Sequence, residues 1–143
     1  MLNEEYFMTQ ALKLAERAKE EDEVPIGALV VLNKQIIGKG YNQVEKLKDP
    51  TAHAEMLAIT AATHYLGSKY LNECEIYITL EPCVMCYGAI VHARIPKVHF
   101  ALHEPKTGFT QHIIKPKLDY TLGVHQEKSQ SLMQDFFQKL RKG

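Results

Sequence analysis

The sequence has no excess of charge of either sign: 17 lysines and arginines stand against 17 aspartates and glutamates. That balance argues against a uniformly basic nucleic-acid binder. Cysteine is scarce as well, with three in 143 residues. A disulfide framework is thereby excluded, a reducing compartment fits, and Cys74, beside a strand-like run, reads as a small buried apolar residue. No apolar stretch approaches the length of a membrane span and no N-terminal segment resembles a signal peptide, so the chain is expected to be soluble and cytoplasmic, without a membrane partner. Repeats, low-complexity tracts and linkers are missing too. The length suits one well-buried core and not two, so residues 1–143 are expected to form a single domain.

What is present is concentrated in two short stretches, His53-Ala54-Glu55 and Pro82-Cys83-Val84-Met85-Cys86. H-x-E followed by P-C-x-x-C is the signature of the zinc nucleobase deaminases. The chemistry agrees with the spacing. A catalytic zinc takes three nitrogen or thiolate ligands and leaves its fourth position open, and His53, Cys83 and Cys86 supply such a set. Cysteines at i and i+3 share one helix face, and Pro82 suits a first helical position, so both sulfurs are expected at a helix N-terminus, where the thiolate form is favoured. Asp49-Pro50-Thr51 offers a turn and an N-cap for a helix running from Ala52 to Leu66, which places His53 similarly. Glu55, two residues on, points elsewhere around that helix; it suits a proton carrier better than a fourth ligand. A redox C-x-x-C would leave the H-x-E without a purpose, and a structural zinc would need a fourth ligand from Cys74, His92 or His99, none of them at conventional spacing.

The rest of the chain reads as alternating helices and strands. Apolar residues at Phe7, Met8, Ala11, Leu12, Ala15 and Ala18 mark an amphipathic helix over Glu5–Lys19, and Glu20 to Glu23 reads as a solvated exit. Pro25–Leu32 and Gln35–Tyr41 form a hairpin about a tight turn at Asn33-Lys34. Gly27, inside the first of these strands, marks the approach of a ligand or another backbone, or a bulge. Asn42 offers a donor and an acceptor for a base edge, or forms a turn before the polar loop Gln43–Thr51. Gly67 ends the His53 helix. Glu75–Leu80 and Lys97–Leu102 are strands on either side of the Cys83 helix, whose apolar circumference predicts burial on more than one side, against the sheet and a second subunit or within its own domain. Residues 104–123 read as mostly irregular, and a helix closes the chain from about Lys128 to Arg141. From Arg94 onward the net charge is +5, balanced by −5 before it; the basic part would meet a phosphate backbone or simply be a solvated surface. The predicted architecture is α/β, three layers of helix, sheet and helix, with a central mixed sheet of about five strands and the metal helices starting at the carboxyl ends of the strands.

The chain resembles the bacterial tRNA-specific adenosine deaminases of the cytidine deaminase superfamily. The resemblance runs from the first helix to the last and is carried by Val24-Pro25-Ile26-Gly27-Ala28, Gly40-Tyr41-Asn42, Asp49 to Glu55, Thr79 to Cys86, Lys106-Thr107-Gly108 and Asp135-Phe136-Phe137. It implies the cytidine deaminase-like fold, a homodimer with one Zn2+ per subunit, and conversion of adenosine to inosine at the wobble position of a tRNA anticodon stem-loop. It further implies that Glu55 shuttles protons and that the flipped base is held by Asn42, Ile26, Gly27, Ala28 and Pro82, with the last helix along the RNA. The chain departs from the family pattern at Phe109-Thr110-Gln111-His112, where small residues are expected, and at Ala101 and Glu104, which replace a glycine and an aspartate. Two other readings stand beside this one: a deaminase of free guanine, cytosine or nucleosides using the same zinc site, and a non-catalytic zinc-stabilised nucleic-acid-binding module.

Overall fold

In the computed structural model, which describes residues 2–142, the first helix, α1 (Glu4–Glu20), starts where the Asn3 side chain accepts the Tyr6 N–H at 3.0 Å. Glu4 and Glu5 in its first turn and Arg17 and Lys19 in its last complement the helix dipole. Its buried residues are the predicted stripe, Phe7, Met8, Ala11, Leu12, Ala15 and Ala18. Strands β1 (Gly27–Leu32) and β2 (Gln35–Tyr41) follow as the expected antiparallel hairpin. Asn33 and Lys34 have φ of +49° and +62°, the double left-handed turn whose twist matches that of the strands it joins. A short helix, α2 (Val44–Leu47), occupies part of the expected polar loop. It is followed by α3 (Ala54–Leu66), β3 (Glu75–Ile78), α4 (Val84–His92), β4 (Lys97–Phe100), β5 (Asp119–Leu122) and α5 (Gln126–Lys142). Gly67 closes α3 at φ +64°, the left-handed cap that glycine supplies without strain.

The sheet has the order β2-β1-β3-β4-β5. Pairing is antiparallel from β2 to β3 and parallel from β3 to β5, the mixed sheet expected. Side-chain alternation sends Ala28, Val30, Ile76, Ile78, Val98 and Phe100 to one face, where Ala54, Ala58 and Ala62 of α3 and Tyr87 and Ile90 of α4 cover them. Leu29, Val31 and Tyr77 go to the other face, under α1 and Leu132 of α5. The three layers are thereby complete.

Three glycines set how closely the layers approach. A Cβ on Gly27 would lie 2.1 Å from the Ala11 carbonyl of α1; on Gly38 or Gly40 it would lie 2.4 Å or 2.3 Å from the Ala58 or Ala54 carbonyl of α3. The backbone that comes close to Gly27 is thus that of α1.

Several expectations shift. β5 lies in a segment read as irregular; its residues are mostly exposed, so it carries no alternation for a sequence pattern to reveal. Strands β3 and β4 each stop two residues earlier than expected, and their ends become the turns that carry the site. Both metal helices begin later than the sequence suggested. The N-cap of α3 is His53 itself, not a residue of Asp49-Pro50-Thr51, and the N-cap of α4 is Cys83, which puts Pro82 outside the helix instead of at its first position. On α4 the first-turn residues Val84 and Met85 remain exposed, while Cys86, Tyr87 and Ile90 are buried.

Candidate metal centre and its surrounding loops

The two N-cap positions face each other at one end of the sheet. His53 Nδ1 lies 3.8 Å from Cys83 Sγ and 3.5 Å from Cys86 Sγ, and the three ligand atoms all fall within 4.8 Å of one another. Tetrahedral zinc with ordinary Zn–N and Zn–S bonds requires nitrogen and sulfur about 3.6 Å apart, so the set fits the ion's size and donor preference. Among the described residues no other group of three such side chains converges. The alternative fourth ligands are elsewhere. Cys74 is buried in the core and His92 is exposed, while His99 is engaged on both ring nitrogens, by Glu75 at 2.6 Å and Thr121 at 2.7 Å.

The electrostatics of the triad are those of ligands crowded together, so that one thiolate raises the proton affinity of its neighbours. The S–H of Cys86 donates towards Cys83 and, with His53 beside it, holds the Cys83 thiol down at about 4 despite its burial. Cys86 is pushed far up by its hydrogen bond to Cys83 and by burial, and His53 is raised above its usual value, chiefly by its bond to Cys83. A bound metal would replace this shared proton with a dication. Glu55 sits within the same cluster, 4% exposed, its carboxyl meeting the Cys86 thiol. Burial pushes that carboxyl up to about 7, and a cation beside it would draw it down again.

Each wall of the site is fixed by backbone hydrogen bonds. Asn42 Oδ1 accepts the Ala54 N–H at 2.8 Å and so caps the helix that His53 begins. The side chain is 6% exposed, and its carbonyl being taken turns its NH2 to any further partner. The Ile26 carbonyl accepts the Asn42 N–H, and the Gly27 carbonyl accepts the Thr79 N–H, while the Gly27 N–H donates to Thr79 Oγ1. Ala28 is paired within the sheet and fully buried. The Pro82 carbonyl accepts the Phe109 N–H at 2.9 Å. Of these residues, Asn42 bonds directly to the first residue of α3 after His53 and Pro82 directly precedes Cys83, while Ile26 and Gly27 are tied to Asn42 and Thr79.

Two buried carboxylates that the sequence did not single out hold the loops on either side. Glu23, read as part of a solvated acidic run, is 2% exposed and accepts the N–H groups of Glu45 and Lys46 at 3.0 and 2.8 Å. Glu81 holds the segment from His103 to Thr110. Nothing in their neighbours signals this, because a glutamate's loop partners are remote in sequence. The departures from the family pattern also find places: Phe109 is fully buried and stacks on Tyr87 at 5.1 Å, and Ala101 is sealed under α1. A cleft of about 630 Å3 lies at the opposite end of the sheet among Glu4, Glu5, Glu73, Glu75 and Lys34. Among the described residues it holds no convergent ligand set, whereas the triad forms one.

The family described as the cytidine and deoxycytidylate deaminase zinc-binding region matches residues 1–102. The tRNA-specific adenosine deaminase of Aquifex aeolicus is 46% identical, with 98% of this chain and 97% of the relative covered. The chain belongs to the cytidine and deoxycytidylate deaminase family, in the branch of the tRNA-specific adenosine deaminases. Two solved structures are similar to this deaminase-family chain at high coverage. One, from a study of A-to-I editing by tRNA:A34 deaminases at the wobble position of transfer RNA, has a TM-score of 0.82 and 38% identity over 89% of this chain and 98% of its own. The other, a guanine deaminase from Bacillus subtilis, has a TM-score of 0.70 and 33% identity over 99% and 95%. Among the described residues no helix is long and apolar enough to cross a membrane.

Proposed function

We propose that this protein is a zinc-dependent tRNA adenosine deaminase that converts adenosine to inosine at the wobble position of an anticodon stem-loop. The observation that carries the reading is the convergence of His53, Cys83 and Cys86 with the buried carboxyl of Glu55. The tRNA substrate follows the full-length similarity to relatives of that name. His53 Nδ1 and the two thiolates would hold one Zn2+ per subunit, and a bound zinc supplies a Lewis acid that makes water nucleophilic near neutral pH.

The chain's own residues do the rest. Glu55, its buried carboxyl drawn down by a bound cation to the carboxylate, takes a proton from the attacking water and delivers it to the ring nitrogen beside C6. It then takes the remaining proton from the hydroxyl added at C6 and hands it to the departing amine as the carbonyl forms, so that adenosine and water give inosine and ammonia. N–H groups at the start of α4 face the developing charge. Asn42, its carbonyl already committed to Ala54, offers its NH2 to the base, and the frame of Ile26, Gly27, Ala28 and Pro82 shapes the pocket beside it. The basic C-terminal third, with Lys128, Lys139, Arg141 and Lys142 on α5, meets the RNA backbone. Residues 1–143 act as one domain, in a homodimer whose second copy covers the exposed Val84 and Met85 of α4, in the cytoplasm where the RNA is. Incubating zinc-loaded protein with an anticodon stem-loop carrying adenosine at the wobble position, alongside free adenosine, guanine and cytidine, tests the reading. Inosine in the RNA alone supports it; turnover of a free base or nucleoside with the RNA untouched replaces it with the small-molecule alternative.

A further inference from the structure

We propose that Glu81 is a positioning residue that sets the substrate-facing loop His103–Gln111 against the metal centre and thereby governs how tightly the nucleotide is held. This proposal rests on the substrate reading above. Glu81 lies in the turn between β3 and α4 and its side chain is wholly buried. Oε1 accepts the Glu104 N–H at 3.1 Å and is 2.6 Å from His103 Nδ1; Oε2 accepts the Thr110 N–H at 2.9 Å and its hydroxyl at 2.7 Å. One carboxylate thus gathers both ends of the loop. Two of its four donors come from Thr110, inside the segment where this chain departs from the family pattern.

The geometry explains why an acceptor stands here and why the loop lies where it does. Four converging donors need an acceptor-only partner, and a buried carboxylate is tolerated only when its lone pairs are filled in this way. Gly108, between the two arms, has an ordinary φ of −62°. A Cβ there would lie 2.3 Å from Glu81 Cδ and Oε2, so the residue is small because the loop lies directly on the carboxylate. Gly108 is bridged to Cys83 and the Phe109 N–H donates to the Pro82 carbonyl, which carries the placement to the metal ligand itself. At the tip, Glu104 Oε2 accepts the N–H groups of Lys106 and Thr107 and the Thr107 hydroxyl. The exposed Lys106 and Thr107 are thereby presented as a stiff rim beside the site.

Glu81→Gln tests this, because the amide keeps the shape but aims an NH2 at donors. Expected are unchanged zinc stoichiometry, a KM for the anticodon stem-loop raised at least about tenfold with kcat within about threefold, and faster amide hydrogen exchange at Glu104, Gly108, Phe109 and Thr110 but not inside α3. Thr110→Val, which removes one donor and keeps the volume, should raise KM in the same direction by less, and is the variant to use if Glu81→Gln does not fold. Unchanged KM and loop exchange would overturn the proposal, as would loss of zinc or kcat at unchanged KM, which would place the role of Glu81 in α4. If the wild-type protein leaves the RNA untouched, the substrate reading fails; loop exchange and the KM for whichever free base or nucleoside is turned over then decide on Glu81 by the same criteria.

Discussion

Replacing Gly38 by alanine would test how far the closeness of α3 to the sheet determines stability. A Cβ at that position meets the Ala58 carbonyl at 2.4 Å, the Ala62 nitrogen at 2.7 Å and the Ala62 Cβ at 2.9 Å. To bring the carbonyl contact even to about 3.0 Å, the helix must retreat by roughly 0.6 Å, a gap that forfeits about a quarter of the dispersion energy across the layer. Overpacking a well-filled interior costs about 1–3 kcal/mol, and because the obstruction is helix backbone, the upper half of that range applies. A fall in Tm of about 6–12 °C is expected for a domain of this size, read by thermal unfolding of the metal-loaded protein. The double variant Gly38→Ala with Ala62→Gly sharpens the test. Trimming Ala62 removes only its side-chain contact, so the two carbonyl and amide obstructions remain and the coupling should stay below about 0.5 kcal/mol. A Gly38→Ala protein as stable as the parent, or full rescue by Ala62→Gly, would refute the backbone-contact argument.

Two further expectations concern the site. Glu55→Gln should retain fold and zinc but lose at least about 100-fold in turnover, since an amide cannot carry the proton; activity within tenfold of the parent would remove Glu55 from the mechanism. Zinc affinity should fall as pH falls, because Cys86, with its thiol pushed up, and His53, raised above its usual value, must both be deprotonated to bind. With one proton released the loss is about tenfold per pH unit, so competition with a chromophoric chelator should show at least about a 100-fold drop from pH 8 to pH 6; a flat profile contradicts the ligand assignment.

Much of the fold is legible in the sequence. The apolar spacing of α1, the Asn33-Lys34 turn and the Gly67 stop are local effects, and local chemistry is what a sequence displays. The convergence of His53, Cys83 and Cys86 is readable because metal-ligand motifs couple residue type to spacing. What escaped notice depends on partners distant along the chain. β5 is an exposed strand recognisable only by its pairing with β4. Asn42 caps a helix twelve residues on, and Glu23 and Glu81 serve loops 22 to 29 residues away. Gly27 could be flagged as a close approach, but that α1 is what approaches it depends on the layer packing.

The fate of the wobble adenosine decides the function most directly. Mass spectrometry of an anticodon stem-loop after incubation with the zinc-loaded protein should show a gain of about 1 Da at that nucleotide, the exchange of an amine for a carbonyl, with free adenosine, guanine and cytidine unchanged. An unmodified stem-loop beside a deaminated free base would contradict it.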